Sequence, residues 1–146
     1  MTHWTPELFN AANQAHLPAL FGMEVLHVEH GALDARLDLR EDFTAPNGFL
    51  HAGTVVSLAD TCCGEGCLAS LPDGASGFTT AELKTNFMRS AQPGDALRCE
   101  ARLAHAGRTT QVWDATVTRE SDGKELALFR CTQYLLADDD PRTRPR

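Results

Sequence analysis

The sequence predicts an α+β domain in which an antiparallel β-sheet of about six strands wraps around one long central α-helix. Residues 54–71, TVVSLADTCCGEGCLASL, are apolar or small nearly all the way round a helix, which is the pattern of a helix buried in a core. The remaining segments resemble strands joined by short turns, which favours antiparallel pairing. With 146 residues, of which 42% are apolar, the chain has the size and composition of one domain.

The N-terminal residues 5–22 predict a short amphipathic helix. Thr5 is suited to cap this helix, Pro6 to occupy its first position, and Pro18 and Gly22 to end it. The apolar side chains that we expect to pack against the core are those of Leu8, Phe9, Ala12 and Leu20.

The next residues predict a hairpin about His30-Gly31. In its second arm Leu and Ala alternate with Asp and Arg, so we expect a strand with one face in solvent. After the central helix, a cluster of turn-forming residues at 71–77 is followed by strand-like segments near residues 78–91, 95–106, 109–120 and 125–136. We expect residues 1–137 to form the single domain and residues 138–146 to be a disordered tail.

The formal net charge of −7 argues against nucleic acid as a partner, because neutralising phosphates requires a basic face and none is concentrated here. No apolar run approaches the ~18 residues of a membrane span, and the N-terminus lacks the pattern of a signal peptide. We therefore expect a cytoplasmic protein without a membrane partner.

The five cysteines are an odd number and do not form a disulfide framework. Cys63 and Cys67 are one helical turn apart, with Glu65 and His51 nearby in sequence, so a metal site is an alternative. No second Cys or His pair completes a tetrahedral set, and Cys is commonly buried, so we favour core packing. We expect no metal and no cofactor.

Asp60 is the most informative residue, because a carboxylate inside a buried helix is costly unless it is paired, hydrogen-bonded or used chemically. The turn before the helix is bracketed by Gly48 and Gly53, and its free N–H groups favour developing negative charge. Gly53 and Asp60 are seven residues apart, roughly 10 Å along a helix axis. If Gly53 holds a carbonyl oxygen, the Asp60 that acts on it should come from another subunit. This predicts an obligate dimer with a shared active site.

Two segments, GFLHAGTVVSLADT and TTAELKTNFMRSAQPGD, resemble the hotdog-fold acyl-CoA thioesterases of the PaaI-like (phenylacetate-degradation) group. The resemblance covers about residues 20–136. It implies that Asp60 is the catalytic carboxylate, acting as general base on water or as nucleophile. It also implies that the Gly53 N–H polarises the thioester oxygen. For His51 we favour an orienting role over proton transfer, since Asp60 already supplies a base.

Two further positions keep two interpretations each. Several relatives place an oxyanion-assisting asparagine six residues before the histidine, where this chain has Ala45. Asn47 either replaces that amide or only shapes the turn. Thr80 aligns with a hydroxyl that positions the attacking water or the carboxylate in some relatives, and it is otherwise an ordinary sheet threonine.

Coenzyme A requires cations for its phosphates, and the guanidinium groups of Arg89 and Arg108 are suited to them at strand ends or turns. Lys84 and Asn86, on the polar face of the third strand, are further candidates. The acyl pocket is expected to be formed by Phe49, Leu50, Cys63, Cys67 and Phe78.

The predicted function is hydrolysis of acyl-CoA thioesters by a homo-oligomer, a dimer that pairs further into a tetramer. One alternative is a catalytically silent acyl-CoA-sensing domain of the same fold, which would gain nothing from a buried base. Another is a hotdog dehydratase, which would pair a catalytic histidine and carboxylate at a different spacing.

Overall fold

A computed structural model of the chain describes residues 3–137 and 139–141. Two short helices, α1 (Pro6–Ala12) and α2 (Leu17–Phe21), precede the strands β1 (Glu24–Glu29) and β2 (Ala32–Asp38). A 3-10 turn (Glu41–Phe43) leads to the long helix α3 (Ala52–Ala69). The remaining strands are β3 (Ala75–Phe87), β4 (Ala96–Ala106), β5 (Thr110–Arg119) and β6 (Glu125–Ala137).

The six strands of the described residues form one antiparallel sheet in the order β1-β2-β4-β5-β6-β3. Helix α3 packs across one face of it and contacts every strand. We call this the inner face and the opposite one the outer face. The predicted architecture, a sheet wrapped around one long helix, is confirmed.

Helix α3 lies close to the sheet because two of its glycines leave room for aromatic rings. A Cβ atom at Gly66 would lie 2.8 Å from the Trp113 ring of β5, and one at Gly64 would lie 2.8 Å from the Phe78 ring of β3. At the end of the helix, the side chain of Gln111 donates to the Ser70 carbonyl at 2.8 Å. Both the middle and the end of α3 are therefore fixed to the sheet.

The N-terminal segment differs from the prediction, because it is two helices instead of one. Thr5 caps α1, accepting from the Leu8 N–H at 3.3 Å, and Pro6 lies in its first turn, as predicted. Pro18 lies in the first turn of α2 instead of ending a helix, and Gly22, with φ of 72°, ends α2. Of the four side chains expected to pack, only Phe9 is buried, and the prediction was wrong for Leu8, Ala12 and Leu20.

The hairpin about His30-Gly31 is confirmed, but β2 does not have one face in solvent. Asp34 is only 9% exposed, because β4 lies alongside and Arg102 Nη1 is 2.6 Å from Asp34 Oδ1. Strand β3 begins at residue 75, inside the predicted turn cluster, and ends at residue 87. The predicted disordered tail lies outside the described residues at positions 138 and 142–146.

The five cysteines are all buried and none forms a disulfide. Burial raises the pKa of the Cys67 thiol to about 12, so it remains protonated. Within residues 3–137 and 139–141, no cluster of three or more His, Cys, Asp or Glu could hold a metal ion. In the same residues, no helix has the length and hydropathy needed to cross a membrane.

Candidate active site

Asp60 lies in the third turn of α3, on the side of the helix that faces β3. It is half-buried, and Thr80 Oγ1 lies 3.2 Å from its Oδ1 atom. Burial raises the pKa of Asp60, and the hydrogen bond with Thr80 opposes that shift. Among the described residues no cation forms an ion pair with it. Asp60 is thus a carboxyl group held by a neutral hydroxyl in a poorly solvated place.

A fully buried glutamine completes the surroundings of Thr80. Gln133 of β6 is paired with Thr80 in the sheet, and its Oε1 atom lies 3.0 Å from Thr80 Oγ1. Its Nε2 atom lies 3.3 Å from the Cys131 sulfur. Asp60, Thr80 and Gln133 therefore form a continuous polar chain that runs from the helix into the sheet.

His51 is the N-cap of α3, and its Nδ1 atom accepts the Gly53 N–H at 2.8 Å. The imidazole is therefore unprotonated at Nδ1. The Gly53 N–H, which we expect to polarise a thioester oxygen, is occupied by this side chain. A carbonyl oxygen has to displace the imidazole to use that donor.

The turn before α3 is shaped by Asn47. Its Oδ1 atom accepts the Phe49 N–H at 3.2 Å, and Gly48 has φ of 83°, which favours glycine. This is the turn-forming interpretation of Asn47. Phe49 is 57% exposed, whereas Leu50 is partly buried against the core.

Gly53 and Asp60 belong to the same straight segment, helix α3, so a single chain does not bring them together. Seven helical residues separate them by roughly 10 Å along the axis. The expectation that a second subunit joins them is not tested by a single chain, and it remains a prediction.

The two arginines expected to bind coenzyme A lie at opposite ends of the sheet. The Arg89 N–H bonds to Leu126 at the start of β6, and its Nη1 donates to the Glu125 carbonyl at 2.8 Å. Arg108 is in the turn between β4 and β5, beside the far end of β6. Nine residues of β6 separate these points, roughly 30 Å at ~3.3 Å per residue. Within one chain the two arginines cannot share a ligand phosphate.

Lys84 and Asn86 lie on the outer face of the sheet, away from Asp60. A β-bulge between Thr80 and Glu82 shifts the alternation, so that Thr80 points inward while Lys84 and Asn86 point outward beside Arg130 and Leu128. Their placement on the polar face of the strand was predicted correctly. The structure does not bring them to the carboxylate.

The inner face of β3 leaves apolar side chains uncovered next to the site. Leu83 and Phe87 pair with the buried residues Cys131 and Ala127, yet they are 41% and 50% exposed, and Met88 beyond them is 43% exposed. In the sheet order β3 is an edge strand. A 13-residue edge strand with exposed apolar side chains on one face is a surface that folded proteins normally cover.

Sequence reasoning missed one polar group of this site, Gln133, and considered Glu65 only as part of an alternative metal site. Gln133 could have been found from the alternation along β6, because it is the one amide among the residues of that strand that face inward. Glu65 is a second carboxylate of α3, and burial raises its pKa to about 7. Asp60 is therefore not the only acidic group in the helix with a raised pKa, but it is the one that faces β3.

Comparisons with known proteins identify the family of the chain. Residues 47–126 match the family model of the Thioesterase superfamily. The chain is 33% identical over 116 residues to a 1,4-dihydroxy-2-naphthoyl-CoA hydrolase of Listeria monocytogenes, covering 80% of this chain and 92% of that protein. It is 27% identical over 118 residues to the acyl-coenzyme A thioesterase PaaI of Escherichia coli, covering 81% and 80% of the two chains.

Solved structures show the same fold. A crystal structure of the Escherichia coli PaaI protein superposes with a TM-score of 0.81 at 22% identity, covering 92% of this chain and 94% of that one. A Streptococcus mutans protein, in a crystal structure bound to acetyl-CoA, superposes with a TM-score of 0.73 at 26% identity, covering 80% and 90%.

Proposed function

This chain belongs to the thioesterase superfamily, as its resemblance to the hotdog acyl-CoA thioesterases predicted, and we propose that it hydrolyses acyl-CoA thioesters to a carboxylic acid and coenzyme A. The relatives named as hydrolases and thioesterases of coenzyme A esters support this reaction. The Streptococcus mutans protein, bound to acetyl-CoA, supports the class of ligand.

The observation that carries the proposal is the half-buried Asp60 carboxyl, which has the Thr80 hydroxyl as a partner and no cation beside it within the described chain. A raised pKa makes this carboxylate a stronger base than an exposed aspartate. We assign Asp60 the role of general base on water or of nucleophile on the thioester carbon. Thr80 orients the carboxylate.

The proposed electrophilic group is the Gly53 N–H in the first turn of α3. A thioester oxygen takes the place of His51 Nδ1 as the acceptor, so the imidazole holds this donor in position until substrate arrives. Negative charge that develops on the oxygen is favoured at a helix N-terminus. His51 thereby orients the site and does not need to transfer a proton.

A dimer formed through β3 would complete the site. In a twofold dimer identical edge strands pair antiparallel, which covers the exposed Leu83 and Phe87 and places the two α3 helices side by side. Asp60 of one subunit then lies opposite the helix start of its partner. The same pairing brings Arg108 of one subunit to the end of the sheet that carries Arg89 of the other. Both arginines could then serve one coenzyme A, although each chain alone separates them.

The test is thiol release from a panel of aryl-acetyl and straight-chain acyl-CoA esters by wild type, Asp60→Asn and Asp114→Asn. We expect Asp60→Asn to lower kcat at least ~100-fold, the scale of a lost general base. Asp114→Asn is the matched control, because that carboxylate lies on the outer face and is paired with Arg130. It should keep wild-type activity.

Two outcomes would reject the proposal. If wild type binds acyl-CoA but releases no thiol, the chain is a sensing domain. If wild type and Asp60→Asn release thiol equally, Asp60 does not carry the chemistry.

A further inference from the structure

We propose that Gln133 is a positioning residue that sets the direction of the Thr80–Asp60 hydrogen bond by turning its amide group. This inference deepens the proposed function and rests on it. It starts from a hydrogen-bonding conflict in the polar chain. Thr80 carries one hydroxyl proton, but the oxygens nearest to it are two acceptors, Asp60 Oδ1 at 3.2 Å and Gln133 Oε1 at 3.0 Å.

One arrangement that resolves the conflict suits a protonated Asp60. The carboxylic acid donates to Thr80 Oγ1, and the Thr80 hydroxyl donates to Gln133 Oε1. The amide nitrogen of Gln133 then donates to the Cys131 sulfur, 3.3 Å away. Every group in the chain has a partner, and the amide keeps the orientation seen in the structure.

The other arrangement suits an ionised Asp60. A half-turn of the Gln133 amide exchanges its oxygen and nitrogen, which are almost the same size. The amide nitrogen donates to Thr80 Oγ1, the Thr80 hydroxyl donates to the carboxylate, and the Cys131 thiol donates to Gln133 Oε1. Again every group is satisfied, so the same three side chains serve both protonation states.

Burial makes the protonation state of Asp60 depend on the orientation of the Gln133 amide. Gln133 is 0% exposed, so no bulk water can replace either end of its amide. A base that gains a proton and loses it again during turnover needs surroundings that accommodate both states. A fixed donor would favour only the carboxylate, and a fixed acceptor only the acid. A primary amide can present either one to Thr80.

The chain offers a matched control in Gln111, which is paired with Gln133 in the sheet and is equally buried, at 1% exposed. Its amide nitrogen donates to the Ser70 carbonyl, and its oxygen accepts the Trp113 ring N–H, each at 2.8 Å. Gln111 therefore fixes the helix end, and within the described residues its side chain makes no hydrogen bond to Thr80 or Asp60. Gln111→Met should cost stability without changing the chemistry.

The experiment measures kcat and KM for thiol release by wild type, Gln133→Met, Thr80→Val, the double variant and Gln111→Met. We expect Gln133→Met to lower kcat about tenfold, the equivalent of one hydrogen bond, with little change in KM. In the Thr80→Val background the same substitution should cost nothing further, because Gln133 acts through Thr80. Gln111→Met should keep the wild-type kcat, with a lower thermal midpoint.

The dependence of kcat on pH is a second measurement, which a purely structural role of Gln133 would not change. Gln133→Met removes the donor that supports the ionised arrangement. The part of the kcat–pH curve that follows the ionisation of Asp60 should therefore move to higher pH. The other titratable groups beside Asp60 in the described chain are the thiols of Cys63 on α3 and Cys131 on β6. The contact with Cys131 and burial raise the pKa of the Cys63 thiol well above its ordinary value. If Gln133→Met does not fold, Gln133→Glu is the second variant, because it keeps the volume and removes both N–H donors.

An unchanged kcat in Gln133→Met would overturn the inference. So would losses that multiply in the double variant, or an equal loss of kcat in Gln111→Met, which would indicate general loosening. In each of these cases active wild type leaves the proposed function intact. Wild type that releases no thiol overturns both.

Discussion

The two faces of the sheet shift the pKa of a carboxylate in opposite directions. On the outer face Asp114 lies 2.6 Å from Arg130, and this guanidinium lowers the pKa of Asp114. On the inner face Asp60 has a threonine hydroxyl in place of a cation, and burial raises its pKa. A carboxylate with a cation in water is part of the solvated surface, whereas one with only neutral partners in a buried place keeps its capacity to act as a base.

The strongest way to challenge this contrast is to ask whether the inner-face site is complete in one chain. Gly53→Pro removes the proposed oxyanion donor in the first helical turn, where proline is tolerated, and should lower kcat ~10²–10³-fold. Mixing Gly53→Pro with Asp60→Asn protein under conditions that exchange subunits should restore activity. Each mixed dimer would contain one site with an intact Asp60 and an intact Gly53.

The control for that experiment is each inactive variant mixed with itself and carried through the same exchange. Activity should not return in either case. If the mixture of the two variants also stays inactive, while a native gel shows that mixed dimers have formed, the site is not shared between subunits.

A second prediction compares packing on the two faces of β5. Gly66→Ala places a methyl group 2.8 Å from the Trp113 ring, so the ring or the helix has to move, and the change should lower the free energy of unfolding by ~1–3 kcal/mol. Thr116→Ala, on the outer face of the same strand, should change it by less than about 0.5 kcal/mol. Urea denaturation at fixed protein concentration measures both. Equal effects would show that α3 is not packed closely on the sheet.

A third, smaller effect concerns the start of α3. His51→Ala removes the side chain that accepts the Gly53 N–H, and loss of an N-cap typically costs about 1 kcal/mol. We expect a corresponding fall in the free energy of unfolding. His51→Asn restores an N-cap acceptor and should recover most of the loss. Failure of the asparagine variant to recover stability would mean that the imidazole contributes through packing instead.

The smallest expected effects are changes in the free energy of unfolding at pH 7. These changes should have opposite signs for replacement of the inner-face and of the outer-face carboxylate. The folded state holds the pKa of Asp60 above its unfolded value, so ionising Asp60 costs stability once the pH rises through the unfolded value. Asp60→Asn should therefore stabilise the fold at pH 7 and lose this advantage at pH 3. For Asp114 the folded pKa is lowered, so its contribution is present at neutral pH and lost as the pH falls through the folded value.

Asp114→Asn should accordingly destabilise the protein slightly at pH 7 and have no effect at low pH. Urea midpoints of the two variants and wild type at both pH values test the pair. If both variants shift the urea midpoint in the same direction at pH 7, the two carboxylates do not differ in their effect on stability.

The sequence was sufficient for those features that depend on local pattern. Helix α3 was predictable because it is apolar all round, and Asp60 because it interrupts that pattern. Asp34 was assigned to solvent because alternation along β2 cannot show that Arg102 of a neighbouring strand covers it. Arg89 and Arg108 were correctly placed at strand ends, but which end each occupies depends on the order of strands in the sheet.

Gln133 was missed for a related reason. Its contact with Thr80 depends on the register of two strands whose paired residues are 53 positions apart in the chain, and no local signal specifies that register. Asn47 makes the contact of its turn-forming interpretation, because its Oδ1 atom accepts the Phe49 N–H; its replacement of the oxyanion amide stays a prediction. What remained beyond sequence reasoning was therefore which side chains meet, not which residue types are present.

The bulge in β3 has a consequence for any comparison of chains of this kind. It shifts the side-chain alternation by one residue. Even-numbered residues face the helix at positions 78 and 80, and odd-numbered ones face it at 83, 85 and 87. Deleting the single residue Ala81 would restore a regular alternation, and the residues downstream would keep their sides. An alignment with a chain that lacks the bulge therefore needs a one-residue gap at this position. Without the gap, the lysine and asparagine positions would be assigned to the helix side, and the inferred lining of the site would be reversed.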